Sequence, residues 1–414
     1  MLELDLAELA RERQALAEAE GRYGRALASL PAADQARRLI AHRGRGQVLY
    51  RSGRAAESLP DFEAARAAAQ RLGDTEAEVE VLLEQAIALD WMNDAPGAAK
   101  LVGLAEAIAA QGGAGSRGAR AALLVGQGRT QLRAGRWLEA WETLQRAVTG
   151  AEQLGVAGYD SLIVGLILLE VLLPYLGRTP EAEAAAVRAI TLARARGDLL
   201  NLGSAINNRR NLLVARKDLA GAVADQRAFL EISKQLGLSL GEYYAEFNIA
   251  ELHYQSGDAE AAAPWAARAV SFEERLPSIA PRPAALLLQA RLLAFRGMLD
   301  EARALVARVK AAVAKAQLEN RTAGLLPPSE DVLLSMVDLG TREASEGEWD
   351  ALIARSEIDS IEQEPIEIWE MRARAARRSG RVDEARRCID TARSLAGRVP
   401  TLFDARLREG YAEA

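Results

Sequence analysis

The sequence predicts an all-α protein, a solenoid of about nine antiparallel helical hairpins, and three observations predict it. The 414 residues are 50% hydrophobic but only 5% aromatic. Ala, Leu, Arg and Glu dominate and β-branched runs are rare, which favours helix over strand throughout. A short phrase recurs along the chain: a glycine, a polar residue, two or three variable residues, then Glu-Ala or Ala. Small residues stand at fixed distances on either side of that phrase.

The phrase reads GRAAES from Gly53, GRWLEA from Gly135, GRTPEA from Gly177, GDAEAA from Gly257, GMLDEA from Gly297, GEWDAL from Gly347 and GRVDEA from Gly380. Glycine ends one helix, an acidic residue suits the start of the next, and alanine lies inside it. Two variants replace the glycine, Asn93 in NDAPGA and Lys217 in KDLAGA. Asparagine tolerates the left-handed conformation of a helix end; lysine does so less readily, which predicts a differently shaped turn at Lys217. The steps between the nine anchors are 40, 42, 42, 40, 40, 40, 50 and 33 residues. Five residues after the anchor stand Ala98, Ala140, Ala182, Ala222, Ala262, Ala302 and Ala385, with Ser58 and Leu352 as exceptions. Seven before it stand Gly46, Ala86, Gly128, Ala250, Ala290, Gly340 and Ala373, with Glu170 and Arg210 as exceptions. Two helices packed antiparallel need small residues where their backbones come closest, and these positions supply one on each helix.

Taken in order, residues 1–32 form an N-terminal cap, a leading helix or degenerate hairpin that ends at Pro31. Repeats 1–7 fill 33–319, with first helices near 34–51, 76–92, 118–134, 158–176, 199–216, 240–256 and 282–296. The segment 320–329 (NRTAGLLPPS) carries two prolines and a glycine and reads as a loop or bend. Repeats 8–9 fill 330–400, with first helices near 330–346 and 365–379. Residues 401–414 form a C-terminal capping helix, whose polar DARLREGYAEA suits an outer face.

A small residue, a helix-ending glycine seven later and an alanine five later resemble the tetratricopeptide repeat. The match runs from about residue 33 to about residue 397. The family repeat is usually 34 residues, so steps of 40–42 imply longer helices or loops. The closing proline of the family is mostly absent. The long style resembles arrays joined to bacterial serine/threonine kinases, regulatory ATPases and transcription activators, especially in LLEQAIALDWMND and GRTQLRAGRWLEAWETL. The resemblance implies a right-handed superhelix whose first helices line a concave, ligand-holding face.

Composition and motif searches narrow the function. A formal charge of −6 with no isolated basic block argues against nucleic-acid binding. The densest basic run, Arg372, Arg374, Arg377 and Arg378, reads as a solvated helix face. The single cysteine, Cys388, cannot form an internal disulfide and reads as a small buried hydrophobe. The apolar stretch Leu162–Leu176 is shorter than the ~20 residues of a membrane span, carries Glu170 and Pro174, and reads as a buried helix. The acidic N-terminus lacks the pattern of a signal peptide, so a cytoplasmic protein is expected. Two histidines, His42 and His253, offer no zinc spacing, and His253 reads as a helix-end or inter-helix hydrogen bonder. No phosphate loop or nucleophile elbow occurs. No catalytic residue, metal or cofactor is therefore expected, though carboxylates can still converge in three dimensions.

Positions nine and six residues before the anchor point to the concave face. They give Glu84, Asn208, Asn248 and Asp338, then Gln47, Arg129, Asn211, Glu251, Arg291 and Arg374. Asn207 and Tyr244 lie beside them. Asparagine is a poor residue mid-helix because its side chain competes for the backbone. Its carboxamide both donates and accepts, so it can grip a peptide backbone. The candidate partner-binding set is therefore Asn207, Asn208, Asn211, Tyr244, Asn248, Glu251 and Arg129. These side chains could equally satisfy one another between repeats. The Lys, Arg and Asn set of the family's carboxylate clamp is absent from the matching positions. The tryptophans at 91, 137, 141, 265, 349 and 369 read as core or turn packing. The expected function is a scaffold or sensor holding a protein or peptide. Self-association, or regulation of a larger kinase or ATPase, is the alternative, and an enzyme with an unrecognised carboxylate site is the remote one.

Overall fold

The turn that recurs between helices is built on one backbone conformation. Gly53, Gly135, Gly177, Gly257, Gly297 and Gly380 all have positive φ, between 70° and 93°. Lys217 adopts it too, at φ 60°. Its amide donates to Val214 O (2.9 Å) and the next amide donates to Leu213 O (2.9 Å). Gly177 and Arg178 make the same two bonds to Pro174 O and Leu173 O, both 3.0 Å. The turn at Lys217 thus keeps the common shape, with a side chain held where glycine is usually needed.

The structure, a computed structural model, describes residues 2–92, 94–113, 115–276, 282–319, 324–359, 364–398, 401–403 and 406–407. The anchor Asn93, part of the 320–329 segment and most of 401–414 lie outside them. Among the described residues there are 20 α-helices and no strand. They are α1 (Leu2–Glu12), α2 (Leu16–Ser29), α3 (Gln35–Arg51), α4 (Ala55–Leu72), α5 (Thr75–Trp91), α6 (Ala95–Ile108), α7 (Arg117–Arg133), α8 (Trp137–Gln153), α9 (Tyr159–Leu172) and α10 (Thr179–Arg196). There follow α11 (Leu199–Ala215), α12 (Leu219–Leu236), α13 (Ser239–Ser256), α14 (Ala259–Arg275), α15 (Ala284–Phe295), α16 (Leu299–Leu318), α17 (Pro328–Gly340), α18 (Glu346–Asp359), α19 (Glu364–Arg378) and α20 (Val382–Ala396). Helices of 17 or 18 residues, such as α3, α4, α10 and α13, account for the long repeat step.

Two chemical solutions recur at the helix starts. Where aspartate follows the turn, it caps: the carboxylates of Asp74, Asp218 and Asp258 accept from Ala77 N (3.0 Å), Gly221 N (2.8 Å) and Ala261 N (2.9 Å). Where arginine follows, no side chain caps, and the arginine pairs instead with a glutamate three residues on. Arg54–Glu57 and Arg178–Glu181 both close to 2.6 Å. The anchor Gly347 is an exception to the expected pattern. It lies inside the first turn of α18, because α17 already ends at Gly340. Ser345 and Glu348 start α18 as a reciprocal capping box, with Glu348 N donating to Ser345 Oγ (3.3 Å) and Ser345 N to Glu348 Oε2 (2.8 Å).

The small-residue positions do what steric contact requires. A Cβ added at Gly128 would stand 2.6 Å from Leu144 carbons, and one at Gly46 would stand 2.9 Å from the Phe62 ring. Phe62 and Leu144 are fully buried, so neither can step aside. Gly128→Val is expected to lower folding stability by about 2 kcal/mol through overpacking, read as a lower urea midpoint at unchanged slope.

The chain divides into two compact units: residues 1–212 with 231–239, and residues 213–230 with 240–414. In the first, successive apolar clusters join α1 to α3, α3 to α5 and α5 to α7. A polar latch also joins residues far apart in its sequence. Gln14, between α1 and α2 at φ 60°, donates to Asp198 Oδ1 (2.7 Å) and accepts from Leu200 N (3.0 Å). Tyr159 donates to the other Asp198 oxygen (3.0 Å). The stretch Gly155–Leu176 is long and apolar enough to cross a membrane by length and composition. Leu162, Ile163, Leu166, Leu169 and Leu172 within it are buried.

In the second unit one large cluster runs from α13 to α19 around the fully buried Trp349. The basic run near residue 372 is not a uniformly solvated face. Arg372 is buried and donates to Glu384 Oε1 (3.0 Å) and Asp350 Oδ1 (2.7 Å), while Arg377 and Arg378 are exposed. Cys388 is buried in an apolar cluster with Ile366 and Ile389. The described residues of the final segment, Thr401, Leu402, Phe403, Arg406 and Leu407, are all buried; most of the polar stretch expected to face outward, 404–414, lies outside the described residues.

Candidate functional site

The second unit carries a cavity of about 220 Å³ lined by Phe247, Glu251, Ala284, Leu287, Arg291, Ser329, Glu330, Leu333 and Glu364. Every one of these residues belongs to α13, α15, α17 or α19, the first helices of four consecutive hairpins. The cavity is therefore built from first helices alone. Phe247, Leu287 and Leu333 give it an apolar wall, and Glu251, Glu330 and Glu364 bring three carboxylates to it from three helices.

Its floor is a buried ion pair. Arg291, 5% exposed, donates to Glu367 through Nε (3.0 Å) and Nη2 (2.6 Å). Glu367 also accepts from Tyr254 Oη. Burial is the largest single influence and works to raise the Glu367 pKa, but Arg291, Arg406 and the Tyr254 hydroxyl together hold this carboxyl below its ordinary value. The third Arg291 nitrogen reaches Glu251 Oε1 at 3.7 Å.

The remaining carboxylates are less well served. Glu330 Oε1 is 3.6 Å from Arg282, yet its Oε2 is shut from solvent and accepts no hydrogen bond among the described residues. The same holds for Glu364 Oε2. Burial is the leading cause that raises both pKa values above the ordinary glutamate range. A half-enclosed, apolar-walled space with carboxylate oxygens lacking donors suits a cationic group with N–H donors and an apolar stem. A second cavity, about 360 Å³, is lined by α16, α17, α18 and Leu325 and Leu326 just before α17, with Asp331 and Arg355 as its charged lining residues. These already lie 3.5 Å from each other.

The residues singled out in the sequence fall on both units. Asn207, Asn208 and Asn211 lie on α11 in the first. Asn207 and Asn208 are half-buried, and the exposed Asn211 accepts from Arg210 (3.1 Å). Arg129, on α7, is half-buried; burial pushes its pKa below the ordinary arginine value, opposed by Asp90 and Tyr50. Asp90 is engaged by Arg133 at 2.9 Å. Tyr244, Asn248 and Glu251 lie on α13 in the second unit. Tyr244 is exposed, whereas Asn248 is buried and donates to Gln226 Oε1 (3.0 Å). Of the seven, Glu251 alone lines the cavity. Glu84 and Gln47 bond each other (2.8 Å), and Arg43 clasps Glu84. Asp338 pairs with Lys310 (2.8 Å). His253 Nδ1 is buried without a hydrogen-bond partner among the described residues, so the expected bond is not made there, and burial lowers its pKa.

Glu330, Glu364 and Phe247 were not singled out. Both glutamates sit in the first turn of their helices, where acidic residues are common because they complement the helix dipole. The signal available in the sequence was the recurrence of glutamate at that first turn in the eighth and ninth hairpins.

No protein-family model matches the sequence, and no curated protein matches it. Solved structures do. A Rap protein in complex with Competence and Sporulation Factor aligns with a TM-score of 0.64 at 11% identity, covering 87% of this chain and 98% of that one. The apo form of the quorum sensor NprR from B. thuringiensis aligns at 0.55 and 14% identity, covering 84% and 98%. Aspartyl phosphate phosphatase F from Bacillus subtilis aligns at 0.54 and 13% identity, covering 95% and 92%. This chain shares their all-α, tetratricopeptide-like repeat fold.

Proposed function

We propose that the chain is a peptide-binding sensor or scaffold of bacterial signalling that works by binding rather than catalysis, in the cytoplasm. Its ligand is a short peptide, one of whose cationic groups enters the Glu251–Glu330–Glu364 cavity. The observation that carries this reading is the pair of enclosed carboxylate oxygens that accept no hydrogen bond among the described residues, on an apolar-walled face made only of first helices. Two solved structures of the same fold support it, the Rap protein complexed with Competence and Sporulation Factor and NprR in complex with its cognate peptide NprX. In this reading Tyr244 and Asn248, on α13 with Glu251, are further peptide contacts of the second unit, and Asn207, Asn208, Asn211 and Arg129 are a separate candidate contact set on the first. The repeats occupy 33–319 and 330–400, between terminal caps.

The test is fluorescence anisotropy with a pool of short peptides containing arginine, and the same pool with citrulline in its place. The arginine pool binds the wild-type chain and the citrulline pool does not. Glu330→Gln with Glu364→Gln weakens binding by about tenfold or more, the scale of a lost charge-assisted hydrogen bond. Because both carboxyls titrate above the ordinary range, affinity falls as the pH is lowered through mild acid and they take up protons. Equal binding of both pools, or by both chains, would remove the cavity from the function.

The resemblance of LLEQAIALDWMND and GRTQLRAGRWLEAWETL to long-repeat arrays implies a second reading, a self-associating or regulatory array of a larger serine/threonine kinase or ATPase protein. Size determination of the chain alone, showing a stable oligomer, would favour it.

A further inference from the structure

The final segment does more than close the last hairpin. Arg406, 3% exposed, lies among the first helices of the second unit. Its Nη1 donates to Tyr254 O (3.0 Å), and its Nη2 pairs with Glu370. Its guanidinium carbon stands 4.6 Å from the Tyr254 ring centre and 4.1 Å from that of Phe295. Phe403, from the same segment, stacks on it at 4.9 Å. Leu402 packs with Val214, Ala222 and Leu252, and Leu407 with Ile366 and Ile389. The segment therefore touches α13, α15 and α19 at once. Gly257 makes room for it, since a Cβ there would stand 3.2 Å from Arg406 Cβ.

This seat is built for a guanidinium. Two aromatic rings and one oxygen of the fully buried Glu370, whose other oxygen accepts from Arg374 (3.0 Å), define a planar slot for a cation beside Arg374, which also stands over Phe295; stacking and a charge-assisted bond both favour arginine over lysine there. Such a seat is the usual description of a peptide-recognition site, except that here the arginine arrives from the same chain. We infer that the slot formed by Tyr254, Phe295 and Glu370 is a recognition site for an arginine-bearing segment with an aromatic residue three positions earlier, occupied in cis by Phe403 and Arg406 as an intramolecular ligand. A segment of the same chemistry from another molecule can enter only when the chain's own has left. The tail also bears on the cavity, because Arg291, which lines it, shares the Tyr254 ring with Arg406, its guanidinium carbon 4.9 Å from the ring centre. The inference does not depend on what the cavity binds.

The test uses the full chain and a fluorescein-labelled peptide of sequence TLFDARL, residues 401–407. Tethering gives the internal segment a high effective concentration, so the wild-type chain binds the peptide weakly. The variant Arg406→Ala binds it on the order of a hundredfold more tightly. The same peptide with its arginine replaced by alanine binds neither chain. Binding to neither chain by the arginine peptide, or binding to both chains irrespective of that arginine, overturns the inference. Should circular dichroism show that Arg406→Ala does not fold, hydrogen exchange on the wild-type chain decides. Excess peptide then accelerates exchange of the Leu402, Phe403 and Leu407 amides if the site is shared, and an unchanged rate overturns the inference.

Discussion

Arg291→Met is expected to cost about 3–5 kcal/mol of folding stability, the range for removing one partner of a buried pair. The cost comes from what is left behind. Glu367 is 2% exposed and would lose both direct guanidinium bonds, keeping only the Tyr254 hydroxyl as a hydrogen-bond donor among the described residues and the charge of nearby Arg406. Removing both charges is different, because two well-packed neutral groups carry no desolvation penalty. The double variant Arg291→Met, Glu367→Gln, whose amide oxygen still accepts from the buried Tyr254 hydroxyl, is therefore expected to recover most of the loss. Urea titrations followed by tryptophan fluorescence give both numbers, since Trp265, Trp349 and Trp369 all lie in the second unit. A single variant that loses less than about 1 kcal/mol, or a double variant whose losses add, would show that the pair is not the constraint its geometry implies.

The second large effect is a pH dependence from one residue. Glu273 is buried, and its carboxylate accepts from Tyr243 Oη (2.6 Å), Ala285 N (2.6 Å) and Leu286 N (3.2 Å). Burial nevertheless dominates those bonds and pushes its pKa up from 4.5 to about 7. The folded chain thus holds this proton more tightly than the unfolded chain does. The contribution is fully present below the unfolded value and is lost as the pH rises through the folded one. At about 1.4 kcal/mol per unit, Glu273 withdraws roughly 3 kcal/mol of stability between acid and neutral pH. Comparing wild type with Glu273→Gln at pH 4.5 and pH 7.5 isolates it from all other titrations. The wild-type chain should lose about 3 kcal/mol more than the variant across that interval. Parallel behaviour of the two chains would mean that the three donors keep Glu273 ionised throughout.

The fold was legible because its constraints are local and repeated. A left-handed turn and a close helix approach admit few residues, so Gly135 or Gly128 announces its role in isolation, and the ladder announces it again. The misreadings arose where another local solution was available. At Gly347 the chain starts a helix with Ser345 and Glu348 instead of ending one with glycine. At Lys217 the turn keeps its shape despite its side chain. The candidate site was less legible because it is assembled from several helices. Glu251 and Arg291 stood at the inward phase and line the cavity. Glu330 and Glu364 meet them only through the stacking of α13, α15, α17 and α19, and no spacing along the chain encodes that meeting. Arg406 was hidden for a related reason: a polar sequence reads as a solvated cap until its partners are known.

The latch between Gln14 and Asp198 changes how the first unit must come apart. A linear repeat array behaves as a nearest-neighbour chain, in which terminal repeats fray and folding can begin anywhere. Joining residue 14 to residues 198 and 200 gives the leading hairpin a neighbour at the far end of the row. That hairpin cannot fray without breaking contacts at α11, so loss of one end is coupled to loss of the other. The price is kinetic: the contact closes a loop of nearly two hundred residues, and long-range contacts of that kind slow folding. The unit trades the independence of its repeats for cooperativity.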